Sequence, residues 1–149
     1  MKNKNVYIIA SRFYSELSDE LIKGATSCIK DDYQIVKALG DFEIIEVPGA
    51  FEIPGMVKQI LDNKKPDLII TLGVIIKGET NHFEQISDFV FNSISKLTIS
   101  SNVPIAFGII SALSYEQASE RALISKKNKG AEVMRTGLEM LKLYDKYKK

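Results

Sequence analysis

The sequence is poor in reactive side chains and in net charge: it has one cysteine, Cys28, one histidine, His82, and a formal net charge of only +1. A lone cysteine cannot close a disulfide within its chain, which excludes a disulfide-stapled secreted scaffold. A lone histidine excludes a multi-histidine metal site within one chain. Near-balance of 20 Lys and Arg against 19 Asp and Glu removes the electrostatic argument for nucleic acid or an anionic membrane as main partner. No apolar stretch approaches a membrane span, and the run at 6–10 is too short for a signal-peptide core followed by a cleavage site. A soluble, cytoplasmic protein is expected.

Glycine is missing where two common nucleotide sites would need it. Ser11-Arg12-Phe13-Tyr14 follows the first apolar run, so neither a dinucleotide-binding turn nor a P-loop fits there. Ala10-Ser11 also lacks the acidic residues of a phosphoacceptor receiver, and the Thr/Ser/Gly-rich phosphate loop of a flavodoxin is absent.

What is present is an alternation of short apolar runs with helical patterns. The 149 residues, 45% hydrophobic and 26% charged, suit one globular domain spanning 1–149. Continuous apolarity predicts buried strands at 6–10 and 68–76, and further strands are expected at 42–47, stopped by Pro48-Gly49, and at about 103–110. Leu17, Leu21, Ile22, Ala25, Cys28 and Ile29 mark a first helix, with Ser15 or Ser18 as its cap. Met56, Val57, Ile60 and Leu61 mark a second, opened by Pro54-Gly55 and ended near Asn63-Lys64-Lys65-Pro66. Phe83, Ile86, Phe89, Val90, Ile94 and Leu97 trace a third, with Asn81 and Glu84 as a reciprocal cap. Ser114 and Gln117 repeat that pattern before a short helix carrying Arg121, and Met134, Leu138, Leu141 and Tyr144 face the last helix. The order β-α-β-α-β-α-β-α-α predicts a four-stranded parallel sheet in a three-layer α/β/α sandwich.

Sites in such sheets form at the carboxyl ends of the strands. Those ends carry Ser11-Arg12-Phe13, Val47-Pro48-Gly49-Ala50-Phe51-Glu52, Ile76-Lys77-Gly78-Glu79-Thr80-Asn81-His82 and Ile110-Ser111. Gly78 permits a tight turn, and the helix start after it suits an anion held by backbone N–H groups, with the Glu79 side chain turned away; a plain capped helix entry is the other reading. His82 is placed in the first turn of that helix, where it either transfers protons or packs. Phe13, Phe51 and Phe107 stack on a flat ring or belong to the core. Glu52 accepts from a ring N–H or serves the start of the next helix. Arg121 forks onto a phosphate or pairs with Glu120 or Glu116. Lys126, Lys127 and Lys129 read as a solvated basic loop.

Four segments taken together closely resemble the lumazine synthase family. They are Val47-Pro48-Gly49-Ala50-Phe51-Glu52-Ile53-Pro54; Gly73-Val74-Ile75-Ile76-Lys77-Gly78-Glu79-Thr80-Asn81-His82-Phe83; Phe107-Gly108 leading to Glu116-Gln117-Ala118-Ser119-Glu120-Arg121-Ala122; and Asn128-Lys129-Gly130-Ala131-Glu132. The similarity runs in order from Val6 to about Leu143. It implies a flavodoxin-like transferase of riboflavin biosynthesis, without cofactor or metal. The implied reaction condenses 5-amino-6-(D-ribitylamino)uracil with 3,4-dihydroxy-2-butanone 4-phosphate to 6,7-dimethyl-8-ribityllumazine, releasing phosphate and water.

By position, the resemblance implies that Phe13, Ala50, Phe51, Glu52, Val74, Ile75, Ile76 and Phe107 hold the pyrimidine side. Glu79, Thr80 and Arg121 would grip the phosphate, His82 would transfer protons, and Lys129 would lie near the cleft. It also implies that Phe107, Arg121 and Lys129 serve a neighbouring subunit's site, in a pentamer or a larger shell of pentamers. Tyr14 and Lys77 stand where members often have Asn and Arg, and Leu123 and Lys127 where many have glycine. The segment before Val6 is shorter than the arm of many shell-forming members. The alternatives are the related archaeal type of riboflavin synthase, against which the phosphate-binding residues count, and a non-catalytic flavin- or lumazine-binding shell protein.

Overall fold

The structure, a computed structural model, describes residues 3–31, 33–78 and 82–149. In chain order the elements are β1 (Lys4–Ser11), α1 (Ser15–Lys30), α2 (Tyr33–Ala38), β2 (Leu39–Val47), a single 3-10 turn (Ala50–Glu52), α3 (Ile53–Asn63), β3 (Leu68–Ile76), α4 (Phe83–Ser100), β4 (Ile105–Ala112), α5 (Tyr115–Ala122) and α6 (Lys129–Tyr147). The described strands form one parallel sheet in the order β2-β1-β3-β4.

The sheet is covered on both faces. All nine residues of β3 are buried, which is why that segment is apolar without alternation. On one face Ile8, Ile70 and Leu72 pack with Leu21 of α1, Ala118 of α5 and Met134 of α6. On the other, Ile9, Ile69 and Ile75 pack with Val57 of α3 and Val90 and Ile94 of α4. Thr71 lies within this interior fully buried, and its hydroxyl donates to the Ala106 carbonyl at 2.8 Å and accepts from the Gly108 N–H at 3.3 Å. Both hydrogen-bonding roles of a buried hydroxyl are thereby met.

Several local expectations need correction. Neither Ser15 nor Ser18 caps α1: Tyr14 holds the cap position with no side-chain hydrogen bond, and the buried Ser18 hydroxyl donates to the Ser11 carbonyl. That bond ties α1 back onto the end of β1. β4 starts two residues later than 103, because Pro104 has no N–H for the ladder and contributes only its carbonyl, which accepts from Ile69 N at 3.1 Å. β2 begins at Leu39, ahead of the predicted 42, its first pairing lying across a bulge opposite Lys4 and Val6. The short helix α2 has no counterpart in the sequence reading. The cap of α5 is as expected: Ser114 Oγ accepts from Gln117 N at 3.1 Å, and Gln117 Oε1 accepts from Leu113 N at 2.7 Å.

The connector from α5 to α6 turns without glycine at either 123 or 127. The Leu123 carbonyl accepts from both Lys126 N and Asn128 N at 3.0 Å, and Lys127 N donates to Glu120 O at 3.1 Å. The left-handed residue is Asn128, at φ 49°, a type that tolerates this region. Among the described residues no helix is long and apolar enough to cross a membrane.

α1 and α6 meet backbone to backbone. A Cβ on Gly130 would sit 2.1 Å from the Leu21 carbonyl oxygen and 3.0 Å from Ala25 N, so only glycine fits. A Cβ on Gly55, in the first turn of α3, would meet nothing within 4 Å. Gly130→Ala is therefore expected to lower stability by about 1–3 kcal/mol, while Gly55→Ala raises it by up to ~1 kcal/mol. Denaturant midpoints at constant slope check both.

Candidate active site

A parallel sheet places every strand's carboxyl end on one edge. Here the chain passes from β1 to β2 on one side and from β3 to β4 on the other, so the connections leaving the paired strands β1 and β3 part at this switch point, where a crevice opens. A cavity of about 170 Å³ lies there, lined by Phe13, Gly49, Ala50, Phe51, Glu52, Val74, Ile75 and Ile86. Its walls come from the loop after β1, the 3-10 turn after β2, the end of β3 and the first turns of α4.

The cavity is shaped for a flat apolar body. Phe13 is 60% exposed and Phe51 52% exposed, both leaving ring surface open at the mouth. Phe51 is held from behind by Phe89, with centroids 4.4 Å apart and planes 23° from parallel. Phe13 meets Tyr14 edge-on, at 4.9 Å and 72°. Glu52 is exposed at the rim and makes no cap on α3. It is thus available to a ring N–H.

Six of the eight residues assigned to the pyrimidine side therefore surround one cavity. Ile76 does not line it: that side chain is fully buried in the core on the opposite sheet face. Any contact from it is through the backbone. Gly49 and Ile86 line the cavity without having been assigned there. Ile86 was read only as part of the apolar face of α4, yet it lies one helical turn after His82, and that spacing is its signal.

Phe107 is in a different place. It lines a second cavity of about 330 Å³ with Ile75, Ser87, Asp88, Val90, Phe91, Ile109 and Ser111, on the β4 side of α4. Its ring meets Phe91 edge-on at 5.5 Å. Arg121 belongs to the same side: its guanidinium donates to the Ser111 carbonyl at 3.1 Å, at the end of β4, and pairs with neither Glu116 nor Glu120. Lys129 lines neither cavity; its ammonium sits 3.0 Å from Glu132 at the start of α6.

Glu79, Thr80 and Asn81 lie outside the described residues. The loop is bracketed by two left-handed residues, Gly78 at φ 80° and His82 at φ 62°. His82 is exposed and occupies the position before α4, not its first turn as expected, and the Ile86 N–H donates to its carbonyl at 2.9 Å. The helix proper begins at Phe83, because the left-handed turn at His82 is what swings the chain into the helix. Glu84 lies 3.6 Å from Lys77 Nζ, bridging the end of β3 to α4. The first N–H groups of a helix such as α4 have no partner within the helix, the usual setting for an anion. Among the described residues no cluster of three or more His, Cys, Asp or Glu could hold a metal ion.

The protein is an α/β/α sandwich of flavodoxin type with an aromatic-lined cavity at its switch point, the usual place for a small-molecule site in such sheets. Residues 3–145 match the sequence model of 6,7-dimethyl-8-ribityllumazine synthase. The protein of that name from Leuconostoc mesenteroides is 38% identical over 98% of this chain and 92% of its own length. The one from Buchnera aphidicola is 42% identical over 94% of this chain and 87% of its own, and that from Limosilactobacillus reuteri 38% over 96% and 91%. The chain belongs to the 6,7-dimethyl-8-ribityllumazine synthase family.

The slot is joined to α5 by aromatic contacts. Tyr14 meets Tyr115 edge-on at 6.2 Å, and the Tyr115 hydroxyl donates to Glu16 Oε2 at 3.4 Å. Burial, then the charge of Glu16 and this hydrogen bond, raise the Tyr115 pKa above the ordinary 10.0. A phenol whose folded pKa is raised stabilises the fold below pH 10.0, and that contribution is lost as pH climbs through the raised value. Difference titration of the native protein against Tyr115→Phe at the tyrosinate absorbance should show one phenol ionising above pH 10.0, and Glu16→Gln should move it back down.

Proposed function

We propose that this chain condenses 5-amino-6-(D-ribitylamino)uracil with 3,4-dihydroxy-2-butanone 4-phosphate to 6,7-dimethyl-8-ribityllumazine, with release of phosphate and water, the penultimate step of riboflavin biosynthesis. The observation that carries this reading is the switch-point cavity, around which Phe13, Ala50, Phe51, Glu52, Val74 and Ile75 converge from three separate strand ends. The reading takes residues 1–149 as one domain and goes with a cytoplasmic location.

The pyrimidine stacks against Phe13 with its edge at Glu52 and the backbone at 74–76. The phosphate of the second substrate sits at the start of α4, with Glu79-Thr80 as its backbone cradle and Arg121 as its guanidinium clamp. The amine of the uracil attacks the ketone to form an imine with loss of one water, phosphate leaves as an enol forms, and ring closure by the ribitylamino nitrogen on the remaining carbonyl expels a second water. His82, exposed at the helix start beside both reactants, carries protons between these steps. No strong nucleophile is required, and holding the two reactants together supplies much of the rate.

One chain separates the slot from Phe107 and Arg121, which lie on the β4 side of α4. We infer that a second copy brings its own Phe107 and Arg121, with Lys129 nearby, against this slot, in a pentamer or a shell of pentamers. Exposed aromatic surface supports that packing: Phe91, in the second cavity, is 57% exposed and Phe89, behind Phe51, 41% exposed.

Two outcomes test the function, both followed by lumazine absorbance against a protein-free control, since the reactants condense slowly unaided. Wild type should turn over saturably above that control, and His82→Ala should cut kcat at least about tenfold. Arg121→Ala should raise KM for the phosphorylated ketone about tenfold or more while leaving KM for the uracil unchanged. A wild-type rate no higher than the control, with ligands still bound, would overturn the enzyme in favour of a binding protein.

A further inference from the structure

We propose that Arg12 is a positioning residue for the pyrimidine slot, clamping the loop that bears Phe13 to both α1 and β2. The inference rests on the slot being the pyrimidine site, as argued above. Phe13 is well exposed and its ring meets Tyr14 edge-on, so burial in a core does not fix its position. The residue before it carries the fixing contacts. The Arg12 N–H donates to the Val47 carbonyl at 2.8 Å, one step past the last β1–β2 pair, Ser11 with Val47. Its guanidinium then reaches in two directions: to Asp19 Oδ1 of α1 at 2.7 Å and toward Glu46 Oε2 of β2 at 3.6 Å.

These two anchors sit on the elements that carry the slot's opposing walls. Glu46 is three residues before Gly49, where the wall formed by Gly49, Ala50, Phe51 and Glu52 begins. Asp19 is in the second turn of α1, the helix that follows Phe13 directly. One side chain thereby sets the spacing between Phe13 and the 49–52 turn. The planar fork of arginine reaches both carboxylates at once, which a lysine ammonium, a single point of charge, does less well. The hydrogen bond that the guanidinium donates to Asp19 also holds its pKa above the ordinary value, so the clamp stays charged at every working pH.

The partners are solvent-exposed, Asp19 at 69% and Glu46 at 52%, so the ion pairs add little to global stability. Their consequence is geometric, and a reaction that depends on holding two reactants in register is sensitive to displacements of this size. A clamp also differs from a direct ligand: it acts only through Asp19 and Glu46.

The test measures the Kd of 5-amino-6-(D-ribitylamino)uracil by calorimetry, KM and kcat for both substrates, and the thermal midpoint. It uses wild type, Arg12→Ala, Arg12→Lys, the double variant Asp19→Asn/Glu46→Gln, and the triple variant that adds Arg12→Ala. The expected result is a Kd and KM for the uracil raised about three- to tenfold in Arg12→Ala. KM for the phosphorylated ketone and the thermal midpoint should stay unmoved, and Arg12→Lys should recover part of the loss. The double variant should match Arg12→Ala, and the triple should add nothing further. An unchanged uracil Kd in Arg12→Ala overturns the proposal. So does a further loss in the triple variant, which would make Arg12 a direct ligand, or a loss that tracks a fall in thermal midpoint. Wild type that binds the uracil without turnover removes the enzyme reading and leaves the clamp decided by Kd; wild type that does not bind it overturns both.

Discussion

The constraint from which the rest follows is that β3 is buried along its whole length between two helical layers, in a sheet whose strands all run one way. A strand with no exposed face has no side chain to spare for chemistry except at its end. Parallel pairing gathers all such ends on one edge, and the sheet order places the gap between β1 and β3. The loops there are free of core duties. Ala50, Val74 and Ile75 are buried residues at the ends of their segments and line the slot, and Phe13 and Phe51 are exposed residues just beyond them.

The scarcity of polar groups lining the slot fits that arrangement. A site with one histidine and few charges has little with which to polarise bonds, and it favours a reaction in which placement matters most. Backbone geometry takes over work that side chains do elsewhere. Left-handed turns at Gly78 and His82 fix the approach to α4, and the Arg12 N–H continues the β1–β2 ladder by one rung toward Phe13. Glycine at 130 lets α6 lie directly on α1 and so braces the layer beneath the same edge.

The strongest signals in the sequence were those of burial and of punctuation. β3 has the bounds its apolar run predicts, β2 ends at Pro48, and α5 takes the Ser114–Gln117 cap, because each is dictated by residues adjacent in the chain. What depends on distant partners was less legible. Ser18 looks like a cap until its hydroxyl is seen to answer the Ser11 carbonyl. Arg121 looks like a partner for Glu116 or Glu120, yet it crosses to the carbonyl of Ser111. Phe107 and Phe13 are both aromatic residues near strand ends, but only the fold puts them on opposite sides of α4. The start of β2 was hidden by Gly40 and Asp41, residues with poor strand propensity.

That division between the two sides of α4 is what a second copy of the chain would heal. It is tested most directly by mixing two separately impaired proteins, Phe13→Ala/His82→Ala and Arg121→Ala, unfolding them together and refolding at equal amounts. If each site takes its slot from one copy and its arginine from the next, random assembly leaves about a quarter of the sites intact. About a quarter of the wild-type rate should return, well above the sum of the two variants refolded alone. A mixture no faster than that sum would contradict a shared site and place the whole reaction within one chain.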